Sequence, residues 1–184
     1  MNAIETKLKG CFILEPVIIT DERGYFFEAF NDKKLEEILG FDPGFVQDNQ
    51  SKSSYGVIRG LHLQKGEFAQ AKLVRVLEGT VLDVAVDARP ESETFGQFVM
   101  VELSAENKRQ LYVPRGFLHG FSVISESATF FYKCDNYYHK LSEEGVHPLD
   151  KTIGINWQIP EEKRILSQKD KELQSFENFK NKLI

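Results

Sequence analysis

A chain of 184 residues with 41% hydrophobic and 28% charged residues suits one soluble domain that buries about two-thirds of its unfolded surface and needs no metal or disulfide for stability. A formal net charge of −5 excludes a general nucleic-acid binder, which would carry a basic stripe, so any anionic ligand must be held by a local cation cluster. The two cysteines, Cys11 and Cys134, lie far apart without C-x-x-C spacing, which excludes a zinc knuckle or disulfide framework and suits a reducing cytoplasm.

Met1 to Lys7 lacks the basic start and apolar run of a signal peptide, and no run reaches membrane-span length. A cytosolic protein without a membrane partner is expected. In chain order, residues 12–20, 25–30, 56–64, 72–77, 80–87, 96–103, 109–113 and 128–134 are rich in Val, Ile, Phe and Tyr and bounded by turn signals. Short strands spaced in this way predict an all-β sandwich or barrel. Asn31 predicts the cap of a short helix through Ile38, stopped by Gly40, and a second helix begins around residues 167–170. Both helices read as peripheral. No repeat, low-complexity tract or linker interrupts the pattern, so residues 1–184 are expected to form one domain.

Strand alternation sorts the ionisable residues by face. Lys72 shares a face with Val74 and Val76, and Tyr132 with Phe130 and Cys134, so an ammonium and a phenol point toward the apolar interior. In Gly56-Val57-Ile58-Arg59-Gly60-Leu61-His62-Leu63-Gln64 a histidine stands inside an apolar run. Taken alone, it reads as a core histidine satisfied by hydrogen bonds. Regular alternation puts Arg59 on the opposite face from His62, unless Gly60 hosts a bulge. His62, Lys72 and Tyr132 together are a base, a cation and an acid, the set needed to move a proton beside a carbonyl. A carbon acid is much weaker than an imidazolium, and each pKa unit of mismatch costs about 1.4 kcal/mol. A base therefore needs an enolate stabiliser, for which Lys72 is the first choice and His119 the second.

The remaining candidates each have two readings. His119, between Gly116 and Gly120 after a strand, either faces a cavity or bonds within a turn. Asp170 is a helix first-turn acid or a carboxylate that folds back to orient His62. Arg23 is a loop charge or a phosphate ligand, and Gln47 and Asn49 are amides suited to a heterocycle edge or polar strand residues. Tyr137 and Tyr138 could form a stacking platform, while His139 and His147 read as surface residues. With no H-x-H or H-E-x-x-H in the chain, no metal site is expected.

These residues resemble a known family, the cupin-type dTDP-4-dehydrorhamnose 3,5-epimerases. The resemblance rests on Asp21-x-Arg23-Gly24-x-Phe26-x-Glu28-x-Phe30, Phe45-x-Gln47-x-Asn49-x-Ser51, Arg59-Gly60-Leu61-His62-x-Gln64 and Gln70-Ala71-Lys72-Leu73-Val74. It continues through Asp83-Val84-Ala85-Val86-Asp87-x-Arg89, Pro114-x-Gly116-Phe117-x-His119-Gly120-Phe121, Tyr132-Lys133-Cys134, Tyr137-Tyr138 and Leu166-Ser167-x-Lys169-Asp170. The resemblance implies a jelly-roll fold with short peripheral helices and inversion of carbons 3 and 5 of dTDP-4-keto-6-deoxy-D-glucose in dTDP-L-rhamnose biosynthesis. It assigns His62 as the base, Asp170 as its support, Tyr132 as the acid and Lys72 as the enolate stabiliser. Arg23, Phe26, Glu28, Gln47, Asn49, Arg59, His119, Glu143 and Lys169 would bind the nucleotide-sugar, with Glu143 taken over Glu144, and Tyr138 would stack on thymine. The family works without cofactor or metal and is typically a homodimer whose subunits share each site. The alternatives are a single-carbon epimerase on a related sugar, a sugar 3,4-ketoisomerase and a non-catalytic sugar-binding barrel.

Overall fold

A computed structural model describes residues 1–182. Two antiparallel sheets stack face to face, as expected for an all-β jelly-roll sandwich. The larger sheet runs β1 (Asn2–Glu5), β2 (Phe12–Glu15), β10 (Gln110–Val113), β7 (Lys72–Glu78), β12 (Ser127–Cys134), β5 (Gln47–Ser54). The smaller runs β13 (Glu143–Gly145), β6 (Ile58–Gln64), β11 (Phe117–Val123), β8 (Thr80–Asp87), β9 (Phe98–Ser104). A hairpin of β3 (Ile19–Asp21) and β4 (Gly24–Phe26) stands apart from both.

The alternation of the strands builds the layers. Val74, Val76, Leu111, Val113 and Phe130 of the larger sheet meet Val81, Ala85, Val101, Phe117, Phe121 and Val123 of the smaller. Each such fully buried side chain contributes about 1.5–3 kcal/mol relative to exposure. The opposite face of the smaller sheet carries Ile58, Leu61, Val84, Val86 and Leu118, which the C-terminal segment covers with Ile153, Trp157, Phe176 and Phe179. Coverage on both faces explains why β8 reads as a nearly continuous apolar run. Leu14, Leu73 and Tyr112 on the outside of the larger sheet pack under Leu35 of α1 (Asp32–Leu39).

Both expected helices form. The Asn31 side chain accepts from Lys34 N–H at 3.1 Å, and Gly40 ends α1 at φ +79°. Ser167 caps α2 (Gln168–Lys171) by accepting from Asp170 N–H at 3.1 Å. A third helix, α3 (Phe176–Asn181), follows. Two strand expectations are corrected and two open readings are settled. The 12–20 run is broken after Glu15, and its end joins β4 in the exposed hairpin, while the 25–30 run is strand only to Phe26. The polar sequence Gln47–Ser54 is a full edge strand, and His119 sits within β11 rather than in a turn.

Candidate functional site

The pairing of β6 with β11 resolves the question left open at Gly60. His62 lies opposite His119 and Arg59 opposite Phe121, so three steps along β6 match two along β11. The extra residue is a bulge, and it turns Arg59 and His62 to the same side. Glycine is required here: φ is +118°, and a Cβ would lie 2.6 Å from Gly120 Cα and 2.7 Å from the His119 carbonyl oxygen.

That side faces a cavity of about 570 Å³ between the sheets. The smaller sheet contributes Arg59, His62 and His119, the larger Asn49, Lys72 and Tyr132, and the C-terminal segment Lys169 and Asp170. Its floor is the stacked pair Phe121 and Phe130, one from each sheet, with ring centroids 4.2 Å apart. A side lobe of about 150 Å³ shares Asn49, His62, Lys72 and Tyr132 and adds Gln47, Tyr138 and Glu143. Register explains these neighbours. Tyr132 is directly opposite Asn49 on β5, and Cys134 is opposite both Gln47 and Lys72.

The C-terminal segment delivers the carboxylate. Ile165 exchanges backbone hydrogen bonds with the start of β6, through Ile58 N–H at 2.9 Å and the Gly56 carbonyl at 2.9 Å, and α2 follows directly. Asp170 is thus both a first-turn acid and the partner of His62, with Oδ1 2.7 Å from Nε2. The pair falls outside hydrogen-bond geometry despite its short separation, and neither atom has another partner among the described residues. Burial pushes the Asp170 carboxyl up, but His62, the Ser167 hydroxyl at 2.8 Å and nearby Lys169 outweigh it and hold the group below its ordinary value.

Lys72 and Tyr132 are shaped by desolvation. Burial pushes the Lys72 ammonium down, with Cys134, Asp83 and Glu143 acting against the shift. Burial pushes the Tyr132 phenol up to about 12, so it stays protonated at neutral pH. Arg59 donates from Nε to the buried Ser53 hydroxyl at 3.1 Å. Burial raises Glu143, but Lys169 and the Tyr138 hydroxyl at 2.8 Å bring it below its ordinary value. Glu144, its neighbour, pairs instead with Lys65 and Lys182. Glu143 is therefore the one that lines the lobe.

Eleven of the fourteen candidate residues meet at this cavity and lobe. Arg23, Phe26 and Glu28 do not: they lie in or after the exposed hairpin. The Arg23 side chain is 85% exposed beside Asp21, Phe26 is 67% exposed, and Glu28 pairs with Lys34 at 2.7 Å. His139 and His147 are half-buried rather than surface residues. His139 stacks on Phe68 at 4.0 Å, and His147 Nδ1 accepts from Leu149 N–H at 3.1 Å. Sequence reasoning passed over Asp83, Ser53 and Ser167, which hold His119, Arg59 and Asp170. An aspartate within the apolar run of β8 was the available signal for the first.

Known proteins resemble this chain over nearly its whole length. The family profile described as dTDP-4-dehydrorhamnose 3,5-epimerase matches residues 5–178. The dTDP-4-dehydrorhamnose 3,5-epimerase of Escherichia coli (strain K12) is 52% identical over 174 residues, covering 94% of this chain and 93% of that protein. The crystal structure of dTDP-4-dehydrorhamnose 3,5-epimerase from Elizabethkingia anophelis NUHP1 is 60% identical, covers 97% of both chains and superposes with a TM-score of 0.94. That of dTDP-6-deoxy-D-glucose-3,5-epimerase from Legionella pneumophila, in complex with dTDP-4-keto-L-rhamnose, is 49% identical with a TM-score of 0.94, covering 100% of this chain and 96% of that one. Matches of this length reach from the hairpin to the segment that carries Asp170, and the chain belongs to the dTDP-4-dehydrorhamnose 3,5-epimerase family.

Proposed function

We propose that this chain inverts carbons 3 and 5 of dTDP-4-keto-6-deoxy-D-glucose, with His62 as base and Tyr132 as acid, in the supply of dTDP-L-rhamnose for cell-surface polysaccharide. The observation that carries this reading is that the two residues come from opposite sheets across one cavity. A proton taken from one face of a ring lodged between them can be returned to the other.

With Nε2 facing Asp170, Nδ1 of His62 is the nitrogen left to act as base. It removes the proton beside the carbon-4 ketone, and the bonding pair passes into an enolate whose charge rests on the carbon-4 oxygen. The Lys72 ammonium, with His119 beside it, receives that charge, and such a desolvated donor supplies several kcal/mol. Tyr132 then gives its proton to the same carbon from the opposite side, and solvent restores both side chains before the second carbon reacts. Arg59 and Lys169 meet the diphosphate, Gln47, Asn49 and Glu143 fix the nucleotide-sugar, and Tyr138 stacks on thymine.

We further propose that the active form is a homodimer in which Arg23, Phe26 and Glu28 enter the cavity of a second copy. Support comes from the hairpin region, where Val17 is 67% and Ile19 61% exposed while these residues stay outside their own cavity. The two buried free thiols fit a reaction in the reducing cytosol. Mixing Arg23→Ala with His62→Ala subunits should restore activity that neither variant has, because the mixed dimer holds one intact site. No recovery after verified subunit exchange refutes the shared site.

The reaction is tested by incubating the protein with dTDP-4-keto-6-deoxy-D-glucose in deuterated water and following the sugar by NMR. Label at carbons 3 and 5 is expected. Label at one carbon would establish a single-carbon epimerase, and no label at either would overturn epimerisation of this substrate.

A further inference from the structure

Asp83 projects from β8 among Val81, Ala85, Val101 and Phe121, on the face that forms the inter-sheet core, and is 0% exposed. Its oxygens lie 2.9 and 3.0 Å from His119 Nε2, its sole side-chain partner among the described residues. A buried ion pair is rarely the most stable way to fill such a place, since well-packed apolar side chains often do as well or better. Stability alone therefore does not account for a carboxylate here. The ring it holds lines the keto-sugar cavity, and because Nε2 is turned to Asp83, only Nδ1 remains for a ligand.

The same carboxylate bears on Lys72. The titratable and charged groups around that ammonium are Tyr132 and Cys134 on β12, Arg59 and His62 on β6, His119 on β11, Asp83 on β8, Glu143 on β13, and Lys169 and Asp170 from α2. Glu143 is already engaged by Lys169 and Tyr138, and Asp170 by His62 and Ser167. Asp83 and Glu143 both act against the loss of charge that burial imposes on Lys72.

We propose that Asp83 is a positioning residue of the cavity: it fixes the His119 ring through Nε2, leaves Nδ1 for the keto-sugar, and sets a buried carboxylate behind the cavity that Lys72 lines. The proposal rests on the epimerase reading above and adds a residue that need not touch substrate. Asp83→Asn keeps the size and an acceptor oxygen but removes the charge. It should lower kcat for deuterium exchange about 10- to 100-fold, the range by which losing the carboxylate behind a metal-bound histidine lowers activity, with KM changed less. Removal of the anion should also move the alkaline limb of kcat to lower pH, which a purely structural role would not do. In wild-type protein labelled with ¹⁵N-histidine, His119 should show an Nε2-bound proton protected from solvent, and its Nδ1 resonance should respond to dTDP-4-keto-6-deoxy-D-glucose.

A folded Asp83→Asn variant with wild-type kcat and an unmoved alkaline limb would overturn the proposal. So would an unprotected Nε2 or an Nδ1 indifferent to the sugar, which are read without any variant and decide the matter if Asp83→Asn fails to fold. Absence of exchange in the wild type would instead strike the epimerase reading, and the ring resonances would still report on Asp83.

Discussion

Replacing Gly60 by alanine tests whether the bulge in β6 is what aligns the site. The new Cβ would lie 2.6 Å from Gly120 Cα and 2.7 Å from the His119 carbonyl oxygen, backbone atoms that cannot rotate away. Carbon atoms prefer about 3.5–4.0 Å, so β6 and β11 must part by about 1 Å. The residue would also be held at φ +118°, a strain of about 1–3 kcal/mol, and overpacking adds about 1–3 kcal/mol. A loss of roughly 4 kcal/mol is large against a domain stability of about 5–15 kcal/mol. Because Arg59 and His62 flank the displaced residue, exchange should fall by about 100-fold, the usual consequence of misplacing a reacting group by about 1 Å.

The assay pairs urea unfolding, followed through the buried Trp157, with the rate of deuterium entry at the sugar carbons. Gly40→Ala is the control, since Gly40 has φ +79° but an added Cβ there would meet nothing within 4 Å. It should lose about 1 kcal/mol and no activity. Gly60→Ala with wild-type stability would refute the steric argument. Gly60→Ala that is destabilised yet exchanges at the wild-type rate would refute the link between the bulge and the alignment of His62.

Tyr132→Phe should retain deuterium entry better than net inversion, because His62 still removes protons while the opposite face lacks its donor; equal loss of both would contradict that division of roles. The alkaline limb of kcat should fall below pH 10.5, the ordinary lysine value, because burial lowers Lys72 while it raises Tyr132 to about 12. Lys72→Arg should move that limb upward at a reduced maximal rate, and a limb that stays in place would assign it to another group. Burial alone would raise the Asp87 carboxyl, but Arg89, Ser92 and Thr94 overcome it and bring the group down to about 2. A depressed carboxyl stabilises the fold above its unfolded value of 3.8, and that stabilisation is lost as pH falls toward about 2. Asp87→Asn should therefore cost about 2 kcal/mol at pH 7 and progressively less below pH 4, and a cost independent of pH would show that the charge is irrelevant.

The sequence made the β architecture legible because most strands bury one face and leave the alternation visible. Lys72 and Tyr132 could be placed for the same reason: each is the odd polar member of an apolar face. The strands that are hard to read are those whose inward face is polar or too short to show a period. β5 turns Gln47, Asn49 and Ser51 toward the cavity, and β11 has its pattern interrupted by Gly116 before it and Gly120 beside His119. Asp170 was ambiguous because both of its readings hold at once, the helix start being what aims it at His62. Arg59 could not be aligned with His62 without the register, since a bulge depends on two strands and only one is local. The place of Arg23, Phe26 and Glu28 outside the cavity was equally unreadable, because a motif names residues and not where the fold puts them.

The stacked rings of Phe121 and Phe130 do more than close the cavity floor. They belong to different sheets, and so do His62 and Tyr132, so with the proposed roles of base and acid the thickness of the apolar core spaces proton removal from proton return. Core packing here acts as a gauge for stereochemical outcome: a variant that thins or thickens it could leave abstraction intact and still return the proton to the face it came from. On the proposed roles, hydrophobic packing in this sandwich is also what sets the handedness of the product.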